Sequence, residues 1–261
     1  MSKGSLLFKN NAYLNKNFNY IKGTIREFDM KSAGLSIIKS KKLLDENTIN
    51  KLEELPKFER NKKIGIMKIN NRVLSQEMQK GFREYRQKCF AANNIEDKDI
   101  ISIHNDAIIT INKGILYDKF DYVRFVEKNR YTSYFYINKV EFYFNSMTKK
   151  LDVKGISDEK LKSHKKYMIK FLKNIFYLIE MGNVNESIIY LKKFADKYRK
   201  RKLDVGYYRE LNDKSEFKFT NINIMNSNFY INFGNENTID YIDINYNYIA
   251  YIVNLAKLIY K

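Results

Sequence analysis

The stretch from Ile100 to Ile111 reads Ile-Ile-Ser-Ile-His-Asn-Asp-Ala-Ile-Ile-Thr-Ile, two isoleucine-rich runs hinged at Asn105-Asp106. β-branched residues at this density favour the pleated, half-buried surface of a sheet. An Asn-Asp pair tolerates the tight reversal of a two-residue hairpin. Such a hairpin commits its neighbourhood to antiparallel pairing, because parallel strands require a long crossover. A sheet with an apolar face needs a covering layer, and the preceding segment supplies one. Between Ser75 and Ala92, Met78, Phe82, Tyr85, Cys89 and Ala92 recur at helical spacing, predicting an amphipathic helix with Cys89 on its core face. The fold class expected is α+β.

Further elements follow from the same patterns. Ile21–Phe28 reads as a strand that delivers Asp29 at its end. A short helix is expected over 47–55, capped by Asn47 or Thr48 and closed by Pro56. Strands are expected over 121–126, 131–144 and 151–156. The character then changes. Ser157-Asp-Glu opens a helix with Leu161, Met168, Phe171, Leu172, Ile175 and Ile179 on one face, ended by Gly182. Asn183 with Glu186 forms a capping-box pattern for a second helix to about Arg199. The last sixty residues mix strand-like runs (217–224 and 229–233) with a terminal helix carrying Ile249, Ile252, Leu255 and Leu258.

Composition excludes several classes. One cysteine rules out an internal disulfide framework and every multi-cysteine zinc or iron–sulfur site. The only histidines are His104 and His164, too few for a histidine-rich metal centre. With 44% hydrophobic residues the chain can bury enough surface to fold, and no uncharged apolar run reaches the ~18 residues of a membrane span. No leader of signal-peptide type is visible, so a cytoplasmic setting without membrane association is expected. Lys+Arg 48 against Asp+Glu 30 gives a net charge of +18, a field that attracts polyanions. The abundance of Lys, Asn, Ile and Tyr also fits AT-rich coding, so charge alone leaves nucleic-acid affinity open. The basic run Lys197–Lys202 reads either as a solvated helix end or as a phosphate-tracking patch.

Two acidic positions stand at strand ends, Asp29 and Asp106, 77 residues apart in sequence. Carboxylates brought together from adjacent strands can hold a pair of Mg²⁺ ions about 3.5–4 Å apart. Asp29-x-x-Ser32-x-x-x-Ser36-Ile37 resembles the first palm motif of B-family DNA polymerases, and Ile103-His-Asn-Asp106-Ala-Ile108 resembles the third, which that family carries on a β-hairpin. Leu151-Asp-Val-Lys154-Gly155-Ile156, followed by a long helix, is similar to the strand leading into the thumb. Asp29-x-x-x-x-Gly34-Leu35 is equally similar to the corresponding motif of single-subunit phage RNA polymerases, whose third motif contains Ile-His-Asp; here an Asn intervenes. The two resemblances stay open.

What the resemblance implies is a small antiparallel palm-like sheet flanked by helices, followed by a more helical thumb-like region. Residues 1–156 would form the palm-like domain with a small fingers-like segment at about 40–95, and 157–261 the thumb-like region. Asp29 and Asp106 would be catalytic and ligate Mg²⁺ or Mn²⁺. Arg60, Lys62 and Lys63 would grip the triphosphate, with Ser32 and Gly34 beside the nucleotide. The function implied is template-directed nucleotidyl transfer by a minimal phage-type polymerase, or by the catalytic subunit of a split one. Its partners would be a DNA or RNA template, nucleoside triphosphates and other polymerase subunits, inside an infected bacterial cell. The alternative is a non-enzymatic phage protein, nucleic-acid-binding or structural, on a palm-derived scaffold.

Overall fold

A computed structural model describes residues 11–137, 140–155, 158–200, 202, 218–219 and 222–223. By contacts the chain divides into two units: Met1–Asn17 with Gly23–Tyr131, and Phe18–Lys22 with Thr132–Lys261. The division expected at 156–157 falls inside the second unit.

In chain order the elements are β1 (Ala12–Leu14), β2 (Tyr20–Met30), α1 (Ala33–Ser40), α2 (Glu46–Glu53), α3 (Lys57–Asn70), α4 (Arg72–Ala92), β3 (Ile100–His104), β4 (Ala107–Ile111) and β5 (Lys119–Phe120). They continue with β6 (Val123–Ile137), β7 (Val140–Asn145), β8 (Lys150–Lys154), α5 (Asp158–Glu180), α6 (Val184–Arg199), β9 (Lys218–Phe219) and β10 (Ile222–Asn223). The α+β class is as expected.

In the first unit the strand order is β1-β3-β4-β2-β6, with β5 paired to β6. The hairpin at Asn105-Asp106 is present, with His104 opposite Ala107. Asn105 takes the left-handed φ of 53° that asparagine tolerates better than most residues. A register shift between Ile100 and Ser102 has a packing consequence: it lets Ile100 and Ile103, an odd number of residues apart, both join the core. That core also takes Ile37 and Ile38 from α1, Met78, Phe82, Tyr85 and Cys89 from α4, and Val123 and Phe125 from β6. Cys89 is fully buried, on the face the periodicity assigns.

Glycine at 81 is required by close approach. A Cβ there would stand 2.5 Å from Ile37 Cγ2, well inside contact distance, so α1 and α4 can pack this closely only because position 81 has no side chain.

Several local expectations are corrected. Helix α2 is capped by Asp45, whose carboxylate accepts from the Thr48 N–H at 2.9 Å, rather than by Asn47 or Thr48. Pro56 not only closes that segment but opens α3, where its missing N–H is no loss. Helix α3 has no counterpart among the elements expected from the sequence, because Gly65 and a lysine-rich face mask its apolar stripe. Helix α4 begins earlier than expected, at Arg72, because Asn71 accepts from the Leu74 N–H. The strand expected over 131–144 is two strands, β6 and β7, paired antiparallel with Ile137 opposite Val140. The strand-like run 217–224 contains the short pair β9–β10. The runs at 229–233 and the terminal helix lie outside the described residues.

In the second unit β6, β7 and β8 are neighbours, β6–β7 and β7–β8 antiparallel. Phe176 of α5 stacks on Phe135 at 3.9 Å between centroids and meets Phe142 and Phe144 edge-on, closing α5 onto the strands. Phe171 stacks on Phe194 at 4.0 Å and joins α5 to α6. Buried Glu180 accepts from Thr132 Oγ1 at 2.9 Å and Ser133 Oγ at 2.6 Å, so its carboxylate is satisfied without an arginine.

Candidate active site

Strand β2 runs beside β4 in a register that sets Asp29 opposite Ala107. Asp106 is the residue before Ala107, and its carbonyl accepts from the Met30 N–H at 3.1 Å. The two aspartates therefore stand at neighbouring strand ends. Both line one cavity of about 750 Å³ within the first unit. The pairing rests on ordinary sheet chemistry. The antiparallel register of β2 with β4 puts Asp29 beside the turn that carries Asp106.

Ser32 and Gly34 line the same cavity. Ser32 is the residue before α1 and holds φ 48°, ψ 43°, a left-handed conformation on the order of 1–3 kcal/mol uphill for a side chain of this kind. Its carbonyl accepts from Ser36 N–H at 3.0 Å, and its Oγ accepts weakly from Arg60 Nη2 at 3.4 Å. Gly34 lies inside α1 without a left-handed φ. A Cβ there would touch Ile64 and Met78 at 3.4–3.5 Å, ordinary contact distances.

The basic residues fall differently from the sequence expectation. At about 100° per residue, Lys57, Asn61, Ile64, Gly65 and Lys68 share one face of α3, and that face lines the cavity. Arg60 is half-buried against Ser32 and is not a lining residue. Lys62 and Lys63 are exposed and stand off the lining face. The spacing 57-61-68 was available in the sequence, but it has meaning only once α3 is known to be a helix.

Lys128 on β6 was not anticipated at all. Its Nζ lies 2.8 Å from Asp29 Oδ2. The hydrogen bond to Asp29 and that residue's charge, with Glu27 and Asp106 adding, raise the ammonium pKa against the opposing effect of burial. Glu27 is buried two residues before Asp29 and accepts from Tyr131 Oη at 2.9 Å and Asn129 Nδ2 at 2.7 Å. No single-sequence signal ties position 128 to position 29, since the contact depends on which strands neighbour β2.

The donor set fits one style of cation binding. Among the described residues no three His, Cys, Asp or Glu side chains gather as a metal site. Two carboxylates at adjacent strand ends suit Mg²⁺, which commonly takes one or two protein carboxylates and completes its shell with water and substrate phosphate. They do not suit an all-protein cage.

Fold and site together define an α+β protein with a two-aspartate, lysine-lined cavity at the ends of antiparallel strands, and no described helix is long and apolar enough to cross a membrane. The chain belongs to the phage family described as Bacteriophage PBS1 gene 130 protein, which it matches over residues 2–261. No curated protein matches it.

Proposed function

We propose that this cavity is a palm-type site for metal-dependent, template-directed nucleotidyl transfer, in a minimal phage polymerase or the catalytic subunit of a split one. The observation that carries the reading is the juxtaposition of Asp29 and Asp106 by the Asp29–Ala107 register. Asp29 and Asp106 would hold Mg²⁺ or Mn²⁺, which lowers the pKa of an attacking sugar hydroxyl and offsets phosphate charge. Lys57 and Lys68 present ammonium groups from α3 to a triphosphate. Ser32 and Gly34 form the wall at the start of α1, where a Cβ at position 34 would meet Ile64 and Met78. The α5–α6 region would serve as a thumb, its basic end at 197–202 following a nucleic-acid backbone, in the cytoplasm of an infected bacterium.

Radiolabelled nucleotide incorporation tests this, using DNA and RNA templates and both nucleotide classes. Asp29→Asn and Asp106→Asn should each abolish incorporation with little change in melting temperature. Full activity in both variants refutes the reading, and so does a large loss of stability, which would mark the carboxylates as structural.

One observation favours a second reading. Asp29 is engaged by Lys128, and no third metal-binding side chain joins the pair among the described residues. A non-enzymatic, nucleic-acid-binding phage protein that retains the scaffold accommodates that arrangement. It predicts salt-sensitive nucleic-acid binding with no incorporation under any template or metal.

A further inference from the structure

The cavity wall carries four lysines, Lys31, Lys57, Lys68 and Lys128, against two aspartates. The excess is positive, which suits a polyanionic occupant. Lys128 is already engaged: its ammonium is bound to Asp29 and feels the charges of Glu27 and Asp106. The pair is not locked. The Lys128 side chain is 56% exposed and Asp29 24% exposed, and solvent-screened pairs of this kind contribute little to stability. A lysine is also a point charge on a flexible stem, able to redirect its donors without rebuilding the strand that bears it. Two anions therefore compete for one ammonium whenever a phosphate chain enters the cavity.

We propose that Lys128 is a transferable phosphate-binding group: in the empty cavity it neutralises Asp29, and an incoming triphosphate draws it away and bares that carboxylate. The proposal rests on the nucleotide-handling reading of this cavity and adds a substrate-contacting residue to it. No bond is made or broken in the exchange; one ion pair replaces another.

The test is equilibrium binding to the full chain in EDTA, which keeps metal out. The probes are a fluorescent nucleoside triphosphate and inorganic tripolyphosphate as competitor. Lys128→Gln should weaken binding about tenfold, as loss of one charge-assisted contact implies, and Lys128→Arg should retain most of the affinity. Asp29→Asn, which removes the competing anion, should tighten binding several-fold. In the Asp29→Asn/Lys128→Gln double variant most of that gain should disappear. Wild-type affinity in Lys128→Gln overturns the proposal, as does failure of the wild-type chain to bind either probe. An Asp29→Asn gain that survives in the double variant overturns it too, because Asp29 would then act by repulsion alone. A chain that shows the expected binding pattern but incorporates no nucleotide refutes the transferase reading and leaves Lys128 in its role.

Discussion

Arg86 Nη1 donates to the Asn105 carbonyl at 3.0 Å, from a side chain with no solvent exposure. Burial, with the charge of Arg83 adding, lowers the guanidinium pKa to about 10. A buried cation on α4 thus grips the turn that carries Asp106, and its Nη2 extends to Asn11 Oδ1 at 3.5 Å. Asn11 in turn supplies the carbonyl that accepts from the Asn105 N–H at 2.7 Å. The hairpin tip is held from both sides.

Arg86→Met should therefore cost about 1.5–3 kcal/mol in urea unfolding, because a charge-assisted hydrogen bond from a buried donor is lost. Arg86→Lys should fall between, keeping the charge without the planar fork. An unchanged urea midpoint in Arg86→Met would show that the remaining contacts hold the turn alone.

Gly81→Ala should destabilise the chain by about 1–3 kcal/mol, the usual range for an added methyl group in a packed interior. The methyl would collide with Ile37, which is itself fully buried. Adding Ile37→Val should recover part of the loss, since it shortens the side chain α4 runs into. Chemical denaturation of the single and double variants measures the coupling.

The sequence carried the hairpin, the strand ending at Asp29 and the amphipathic helix bearing Cys89, because each has a strong local signature. Turn propensity marks Asn105-Asp106, and periodicity marks Met78 to Cys89. Legibility failed where the decisive information was not local. Helix α1 follows a left-handed Ser32 with no side-chain cap, so nothing in the string announces its start. Helix α3 contains a glycine and has Ile64 as its one fully buried residue, so its amphipathic pattern is faint. Lys128 joins the site only through strand neighbourhood. The two aspartates were legible because each sits at a strand end. Lys57, Asn61, Lys68 and Lys128, which also line the cavity, were not, because they come from the face of an unrecognised helix and from a distant strand.

Position 34 bears on sugar choice. Gly34→Ala should be stable to within about 1 kcal/mol, since its methyl meets Ile64 and Met78 at ordinary contact distances. In polymerases of the B-family type the matching position carries a Tyr that excludes a 2′-hydroxyl. Under the transferase reading the wild-type chain should incorporate ribonucleotides readily, and Gly34→Tyr should shift preference toward deoxynucleotides. Competition between the two nucleotide classes on one template reads the ratio. Strong rejection of ribonucleotides by the wild-type chain would remove the basis for this expectation.

The Cys89 thiol should be inert in the native chain. Burial pushes its pKa up to about 12, against a hydrogen bond from Asn93 that works in the other direction. The nucleophilic thiolate is therefore nearly absent near pH 8. Iodoacetamide at that pH should label the protein only in denaturant. The linkage has a definite sign. A folded pKa above the unfolded value of 9.0 means that this contribution to stability is complete below pH 9 and is lost as pH rises toward 12. Cys89→Ala should flatten that part of the stability profile, measured by urea midpoints across the alkaline range.

The short segment Phe18–Lys22 belongs to the second unit although it is bracketed in sequence by the first. The backbone consequently passes between the two units at three places, around 17–18, 22–23 and 131–132. Proteolysis or truncation at one point releases neither unit whole: a fragment ending at Tyr131 keeps residues whose contacts lie in the part removed, and the remainder loses them. Exchange of one unit by recombination would need three coordinated junctions rather than one, so neither half can be swapped as a single contiguous cassette.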